Sequence, residues 1–332
     1  MVWMWRYVLI EFNGKMYNMN GIYRVFIDGE LVAEQKNKLT KLGRSNALKT
    51  MLGLVPSFAG SMGIGISSLA NGEANKYLDM SDLDFSVGRY PITAASLGQN
   101  TDEDVLVYTA RITDTSRYYI TELGLYSNKL SSSFEADNRV IFNFESGDPL
   151  KLSDNSYVGS TVINNTPHFV SDLTNYRIGS NALKLTETDT VTFNDSVLDM
   201  GYVAPYDSFV LAGYFSASYT TNIVFSDGSN TATYGFASGG AGYKVLSLEK
   251  NQGTGQAAVN WSKITSITIG NVTTGTTILD GLRVKKYKTL DSVEGLVSRA
   301  LLTTTGDSPT AIEKPFGSVV DIQYLLEMQM VM

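Results

Sequence analysis

Residues 320–330, near the C-terminal end, alternate between apolar and polar side chains, and this pattern constrains the fold more than any other feature. A period of two residues is that of a β-strand with one buried face. An unpaired strand exposes a hydrogen-bonding edge and tends to aggregate, so this segment has to join a sheet. The apolar positions are Val320, Ile322, Tyr324, Leu326, Met328 and Met330, and Leu325 is the one apolar residue on the other side.

The composition predicts an all-β fold. The 332 residues include 30 glycines and 19 tyrosines, and only 18% are charged. Aromatic and β-branched residues suit a pleated, half-buried surface, whereas glycine and asparagine form turns. One helix is expected, beginning at Arg44 or Ser45 and ending at Gly53. A glycine-rich loop is expected after it, over residues 56–74.

Several classes of function are excluded by the composition. The chain has no cysteine, which excludes a disulfide scaffold, a thiolate zinc site and thiol catalysis. Its net charge of −7 argues against a nucleic-acid partner, because such binding needs a basic face. No apolar run approaches the roughly 20 residues of a membrane-spanning helix. Residues 1–12 are interrupted by Arg6 and Glu11, so we expect a first strand in a protein made in a cytoplasm.

The middle of the chain has the rhythm of a β-sandwich. A polar stretch over residues 146–174 marks a change of composition, and short strands then recur at intervals of about 8–12 residues. About eight such strands predict a jelly roll rather than an immunoglobulin-like domain. The predicted strands cover residues 181–185, 190–193, 208–215, 222–225, 234–236, 243–248, 264–269 and 277–284.

Two sets of motifs in the outer parts of the chain resemble a known family. The first set is Lys41-Leu-Gly-Arg-Ser-Asn-Ala-Leu48, Gly63-Ile-Gly65 and Tyr118-Tyr-Ile-Thr-Glu-Leu-Gly-Leu-Tyr126. The second set is Leu296-Val-Ser-Arg-Ala-Leu-Leu302 with the terminal strand. Together they resemble the N-terminal attachment domains of tailed-bacteriophage tail-fibre and collar proteins. The resemblance implies a structural role in a virion and carries no catalytic residues.

The middle region resembles the jelly roll of carbohydrate-binding modules. The resemblance rests on Gly179-Ser-Asn-Ala-Leu-Lys-Leu185, Trp261-Ser-Lys-Ile-Thr-Ser-Ile-Thr-Ile269 and Ile278-Leu-Asp-Gly-Leu-Arg-Val284. In that group, the aspartate matching Asp280 sometimes holds a structural calcium ion. Gly281 stands where a second acidic residue is usual, so calcium is a weak candidate and no other cofactor is expected.

Together the two resemblances imply an insertion. An attachment β domain with one helix would comprise residues 1–150 and 291–332, and the jelly roll, residues 151–290, would interrupt it. Insertion is tolerated where the two ends of a domain lie close together.

Candidate binding residues are aromatic. Trp261, Tyr214, Tyr234 and Tyr243 could stack on the apolar faces of sugars, but the favoured interpretation is that the tyrosines alternate between core and surface in a tyrosine-rich β protein. Candidate assembly contacts are Trp3 and Trp5, which share one strand face, together with Tyr324 and Met328.

Catalytic candidates are weaker. His168 has no nucleophile or orienting carboxylate near it in sequence, and a surface or packing role is favoured. Glu122 lies in an otherwise apolar strand, where a pair with Arg111 or Arg117 would offset its charge. Asp227 could join a cation site, but scattered aspartates are insufficient. No ordered catalytic set emerges, so we expect no enzymatic activity.

These patterns favour a virion structural protein: a tail-fibre, collar or baseplate-associated component that docks to other virion proteins. It would form a homo-oligomer, with a trimer favoured, and would present the jelly roll for host recognition, with a host-surface glycan as a candidate ligand. The alternatives are a carbohydrate-binding module and a component of a capsule depolymerase.

Overall fold

The computed structural model describes residues 8–12, 15–54, 57–68, 82–100, 103–127, 138–144, 169–170, 177–186, 190–287, 295–303 and 310–331. The chain divides into two compact units, one formed by residues 1–131 with 288–332 and the other by residues 132–287. The boundaries predicted from composition and resemblance, after residues 150 and 290, lie further along the chain.

The described residues are mostly β-strand, with one α-helix, which confirms the predicted all-β class. None of the helical residues in the described ranges forms a segment long and apolar enough to cross a membrane. The elements are β1 Val8–Phe12, β2 Lys15–Ile27, β3 Glu30–Lys36, β4 Lys38–Leu39, α1 Lys41–Met51, β5 Ser61–Ile66, β6 Phe85–Asn100, β7 Glu103–Ile112, β8 Tyr118–Ile120, β9 Glu122–Tyr126, β10 Asn138–Phe142, β11 Phe169–Val170, β12 Ala182–Thr186, β13 Thr190–Leu198, β14 Ser208–Phe215, β15 Thr220–Ser226, β16 Thr231–Ala237, β17 Gly242–Glu249, β18 Ile264–Asn271, β19 Thr276–Lys285, β20 Leu296–Leu301, β21 Ile312–Lys314 and β22 Val320–Val331.

The first unit is built on one large antiparallel sheet. Its described strands follow the order β1-β2-β22-β7-β6-β5-β9-β20-β4, and β3 also pairs with β2. The terminal strand β22 lies between β2 and β7, where Tyr324 is opposite Tyr23 on one side and Tyr108 on the other. The strand predicted from the terminal alternation therefore exists, and its partners are strands formed more than 200 residues earlier in the chain.

The large sheet curls so that strands distant in its order approach each other. The Tyr23 hydroxyl on β2 donates to Ser298 Oγ on β20 at 3.2 Å, and Asn37 Nδ2 donates to the Tyr324 hydroxyl at 2.9 Å. The rings of Tyr23 and Tyr324 meet edge to face at 4.9 Å, and both side chains are fully buried. The expected assembly residue Tyr324 is thus placed inside the core of the first unit, where it cannot reach a partner.

The helix begins earlier than predicted. It spans Lys41–Met51, and Thr40 is its N-cap because the Thr40 hydroxyl accepts a hydrogen bond from the Gly43 backbone N–H at 3.0 Å. The helix thus includes residues 41–43, before the predicted start at Arg44 or Ser45. Glycine at position 43 is a poor helix former and weakens the local signal there. A β-carbon at Gly43 would lie 1.9 Å from the Val297 carbonyl oxygen, so glycine there allows the close approach of α1 to β20.

The glycine-rich loop predicted for residues 56–74 contains a buried strand, β5, so that prediction is wrong for residues 61–66. Gly63 and Gly65 are glycines because β9 crowds them. A β-carbon at Gly63 would lie 2.7 Å from the Tyr126 ring, and one at Gly65 would lie 2.6 Å from Glu122 Oε1. Glycine in a strand marks such a close approach, which loop composition alone does not reveal.

A buried ion pair lies beside β5. Arg299 Nε donates to Glu122 Oε2 at 2.9 Å, and a second Arg299 nitrogen donates to Asp84 Oδ2 at 3.0 Å. The side chains of Glu122 and Arg299 are almost completely buried. The predicted partners of Glu122 were wrong: Arg111 pairs with Asp321, and Arg117 pairs with Glu313.

The second unit is a jelly-roll β-sandwich. One sheet has the order β11-β12-β19-β14-β17, with β10 also paired with β19, and the other has the order β13-β18-β15-β16. From β12 to β19 the eight described strands cross between the sheets in the sequence of a double Greek key, so that β12, β19, β14 and β17 face β13, β18, β15 and β16. The strand pairing itself confirms the predicted jelly roll.

The core of the sandwich is aromatic at its centre. The rings of Phe209, Phe225, Tyr234 and Trp261 contact one another with centroids 4.8–6.4 Å apart. The Tyr234 hydroxyl donates to the Lys250 carbonyl at 2.7 Å, and Trp261 Nε1 donates to the Gln256 carbonyl at 3.0 Å. The polar atoms of both large side chains are thus satisfied inside the fold.

Candidate functional site

The structure divides the four aromatic residues proposed for sugar stacking into two pairs. Trp261 and Tyr234 belong to the core described above, with 9% and 1% of their surface exposed, and they present no ring face to a ligand. Tyr214 and Tyr243 lie on the outer face of the β14-containing sheet, opposite the core. They are register partners on the neighbouring strands β14 and β17.

Strand alternation places Tyr214 and Tyr243 outside. On β14, Phe209 and Phe215 point into the core, which turns Tyr214 to the other face. On β17, Leu246 and Leu248 pack against the core, which turns Tyr243 outward in the same way. These positions could have been read from the sequence by assigning the two faces of each strand before choosing candidates.

The two tyrosines continue a row that crosses four strands. Lys184 on β12 is opposite Ile278 on β19, and Ile278 is opposite Tyr214 on β14, which is opposite Tyr243 on β17. We call these four residues the outer row. Neighbouring strands lie about 4.8 Å apart, so the outer row is roughly 14 Å long. Tyr214 is half-buried and packs against Ala182 and Ile278.

Asp280 lies on the same face, two residues after Ile278 and at a bulge in β19. Gly281 is paired with Ala212 and Leu279 with Gly213, so Asp280 has no register partner on β14. The extra residue shifts the alternation of β19, because Leu279 and Leu282 both face the core although they are three residues apart. The residue left without a register partner at the bulge is thus a fully buried carboxylate.

Asp280 holds Tyr243 in place. The Tyr243 hydroxyl donates to Asp280 Oδ2 at 2.7 Å, and the same carboxylate accepts hydrogen bonds from the backbone N–H groups of Arg177 and Ile178. Burial, and then the negative charge of Asp280, raises the pKa of the Tyr243 hydroxyl well above its ordinary value. The Arg177 guanidinium lies 4.7 Å from the centre of the Tyr243 ring. Tyr243 is therefore a fixed, neutral aromatic group under physiological conditions.

Chemically, the outer row combines two aromatic rings with a cationic side chain at its far end. Ile278 is buried, with 3% of its surface exposed, so the half-buried ring of Tyr214 supplies the apolar surface, while Lys184 and Arg177 carry hydrogen-bond donors. Such a surface suits a flat amphipathic ligand that has both C–H and hydroxyl groups. Sequence reasoning found Tyr214 and Tyr243, but it missed Arg177 and the orienting role of Asp280. Both findings depend on the contact between Arg177 and Asp280, which are 103 residues apart in the chain.

The residues proposed for cation binding do not fit that role. Both oxygens of Asp280 accept hydrogen bonds from N–H and O–H donors, which leaves this carboxylate engaged within the protein. Asp227 accepts from the backbone N–H groups of Ser229, Asn230 and Asn260, and these bonds lower the pKa of its carboxyl. Within the described ranges, no group of three or more His, Asp or Glu side chains converges as a metal site.

The remaining candidates are only partly covered by the structure. Trp3, Trp5 and His168 lie outside the described residues. Met328 lies on β22, opposite Met19 of β2, and its side chain is not described.

Of the comparisons with known proteins, only the comparison with solved structures found matches. No family model matches the chain, and no curated protein matches it. The family 11 carbohydrate-binding module of the Clostridium thermocellum cellulase Lic26A-Cel5E is 10% identical, with a TM-score of 0.32, over 45% of this chain and 95% of that one. The same family's module in complex with a β-1,3-1,4-mixed-linked tetrasaccharide is 11% identical, with a TM-score of 0.31, over 46% and 97%.

A third similar structure is PfGH50B, which is 10% identical with a TM-score of 0.29. The match covers 40% of this chain but only 23% of PfGH50B. All three TM-scores are low, and the assignment of the jelly roll rests on the strand pairing of the second unit itself.

Proposed function

We propose that the second unit binds a carbohydrate chain across the outer row, with Tyr214 as the stacking residue and Tyr243 as its rigid neighbour. The observation that carries the proposal is the pairing of Tyr214 with Tyr243 on the face of the sheet opposite the core. The C–H face of a pyranose is apolar, and it packs on an aromatic ring without desolvating the sugar hydroxyls.

The polar neighbours of the outer row support the same class of ligand. Binding sites combine apolar surface with a few placed polar groups that fix the orientation of the ligand. Lys184 at one end and Arg177 beside Tyr243 can donate to sugar hydroxyls. Because Asp280 fixes the Tyr243 hydroxyl, little side-chain entropy is lost when a ligand binds there.

We propose further that the first unit attaches the chain to a larger assembly, the virion of a tailed bacteriophage. The support is the resemblance of its motifs, Lys41–Leu48, Tyr118–Tyr126 and the two C-terminal segments, to attachment domains. In this arrangement the first unit docks to other virion proteins and to its own copies, and the second unit presents the outer row to host-surface glycans. The chain acts by binding and has no enzymatic activity.

Affinity electrophoresis of the full chain in gels containing barley β-glucan, xylan, alginate or dextran tests the glycan proposal. We expect at least one polysaccharide to retard the wild-type chain, and we expect Tyr214→Ala and Tyr243→Ala each to reduce the retardation at least tenfold. Phe316→Ala is the matched control, since it removes an exposed ring from the first unit. Equal retardation of wild type and both tyrosine variants, or no retardation by any polysaccharide, would overturn the proposal.

A further inference from the structure

Tyr206 and Tyr287 form an exposed aromatic pair in the second unit. Their ring centroids are 5.8 Å apart with an angle of 47° between the ring planes. In spite of this contact, 59% of Tyr206 and 60% of Tyr287 remain exposed. The two rings therefore present two inclined apolar faces to solvent, and neither belongs to the core of the sandwich.

The pair lies at the opposite end of the sheet from Tyr214. Tyr206 comes two residues before β14, and Tyr287 comes two residues after β19, and these strands are paired there through Ser208 and Lys285. Tyr214 is at the other end of β14, six residues from Ser208. At about 3.3 Å per residue, the distance along the strand is roughly 20 Å. The exposed pair is thus a separate surface from the outer row.

One buried carboxylate holds both segments that carry the pair. Asp207, which is 2% exposed, accepts hydrogen bonds from the Ala204 backbone N–H at 2.7 Å and from the Tyr287 backbone N–H at 2.9 Å. It also pairs with Lys286 Nζ at 2.6 Å. The turn before β14 is fixed further by the bond from the Asn251 N–H to the Pro205 carbonyl at 2.9 Å. The backbone under the two rings is therefore preorganised, as binding sites require.

The size of the pair selects the kind of ligand. A fully covered aromatic side chain buries about 150–250 Å², so two half-exposed rings offer far less than the roughly 1,000 Å² of a stable protein interface. Surface of this extent matches one or two sugar rings. The two rings form one contiguous patch, in contrast to apolar residues scattered singly over a protein surface, which need no explanation.

We infer that Tyr206 and Tyr287 form a second saccharide contact, independent of the outer row and at the far end of the same sheet. The inference takes its ligand class from the proposed function but uses none of its residues. A chain with two such contacts binds a long polysaccharide at both ends of one sheet, or two separate glycan branches. Binding to a polymer then becomes tighter than to a short oligosaccharide, because the second contact forms intramolecularly.

Isothermal titration of the full chain with cellohexaose, xylohexaose, maltohexaose and tetragalacturonic acid tests the inference. We expect two sites per chain for at least one of these sugars. The Tyr206→Ala/Tyr287→Ala double variant and the Tyr214→Ala variant should each retain one site. Tyr206→Phe/Tyr287→Phe, which keeps both rings, should retain two. An unchanged thermal midpoint is expected for the variants of the exposed Tyr206 and Tyr287, and a cooperative thermal transition verifies that Tyr214→Ala is folded.

The outcomes separate this inference from the proposed function. A single site that Tyr214→Ala removes and the Tyr206/Tyr287 double variant leaves intact overturns the inference and leaves the proposed function standing. A single site that only the double variant removes supports the inference and overturns the proposal that the outer row binds a saccharide. The absence of binding by all four sugars overturns the inference, and the affinity electrophoresis then decides the proposed function separately.

Discussion

The hydroxyl of Tyr243 donates a hydrogen bond to Asp280 across 2.7 Å, joining strand β17 to the bulge of strand β19. The β14 strand lies between them, so this contact spans two strand spacings on the outer face of the sandwich. Asp280 reaches the outer face by strand alternation, two residues after Ile278, and the bulge then lets Leu282 face the core. The outer row is therefore positioned by a buried polar contact as well as by sheet geometry.

Removing the carboxylate should destabilise the second unit. In Asp280→Ala, the N–H groups of Arg177 and Ile178 and the Tyr243 hydroxyl lose their acceptor, and each unsatisfied buried group costs about 1–3 kcal/mol. We expect a loss of about 3 kcal/mol or more in the free energy of unfolding, measured by urea denaturation. Tyr243→Phe, which removes one of the three bonds, should cost about 1 kcal/mol. Equal stabilities of the two variants would contradict this account.

Alkaline pH should unfold the protein in a range that buried tyrosines define. Burial raises the pKa of the hydroxyls of Tyr23, Tyr126 and Tyr243 well above the ordinary value of 10.0. Above that value the unfolded chain releases these protons and the folded chain keeps them, so stability is complete below pH 10 and falls as pH rises. Each such tyrosine contributes a slope of up to about 1.4 kcal/mol per pH unit.

Urea denaturation at pH 9, 10 and 11 measures this slope, and absorbance at 295 nm counts the tyrosines that ionise before unfolding. We expect a partial titration at first, followed by a cooperative rise when the protein unfolds. A smooth titration of all tyrosines near pH 10, without unfolding, would show that the hydroxyls are not buried as described.

The buried ion pair of the first unit should be sensitive to loss of one partner. Arg299→Ala leaves Glu122 fully buried without its closest cation, and breaking such a pair costs about 3–5 kcal/mol. The matched control is Arg24→Ala, which breaks the exposed pair with Glu34 and should change stability far less. Unfolding in urea, followed by tryptophan fluorescence and circular dichroism, measures both. Similar losses in the two variants would contradict the assigned burial.

A methyl group at Gly65 should not be tolerated. Its β-carbon would lie 2.6 Å from Glu122 Oε1 and 2.9 Å from the Phe85 carbonyl oxygen, so Gly65→Ala forces strand β5 away from its neighbours. Overpacking of this kind costs about 1–3 kcal/mol. Gly98→Ala is the matched control on β6, since its β-carbon would come no closer than 3.5 Å to Val107. We expect the urea concentration at the unfolding midpoint to fall for Gly65→Ala. For Gly98→Ala, we expect no decrease of comparable size.

The native mass of the full chain tests the proposed assembly role. Light scattering should give about three times the 36.2 kDa of one chain, because fibre-like virion proteins assemble as symmetric oligomers. Sub-denaturing urea should leave this mass unchanged if the interface is large. A stable monomer at all concentrations would argue against self-assembly, while leaving the glycan proposal untouched.

Much of the strand content could be predicted because alternation is a local property. Residues 320–330 show their buried face directly, and the strands of the jelly roll could be placed from short apolar runs between turns. The start of the helix and the strand β5 could not. Gly43, Gly63 and Gly65 weaken the local signal for regular structure, and the reason for them is the proximity of Val297, Tyr126 and Glu122, which are remote in sequence.

The candidate site, too, could be predicted from the sequence only in part. Tyr214 and Tyr243 could be proposed from residue type, but so could Trp261 and Tyr234, since an aromatic side chain serves a core and a ligand equally well. Which tyrosines face outward follows from the phase of each strand relative to the sandwich core, and the phase of β19 changes at Asp280. The exposed pair of Tyr206 and Tyr287 had no sequence signal, because it depends on the pairing of two chain segments 81 residues apart.

The sequence by itself therefore determined the class of fold, the jelly roll and the alternation of the terminal strand, because these depend on local periodicity and on turn residues. The tertiary structure decided which glycines are required, which cation neutralises Glu122, and which aromatic rings are available to a ligand. Those outcomes depend on contacts between residues far apart in the chain. Hydrophobic burial drives such contacts, and because it is non-directional, a local sequence pattern does not show which distant residues will meet.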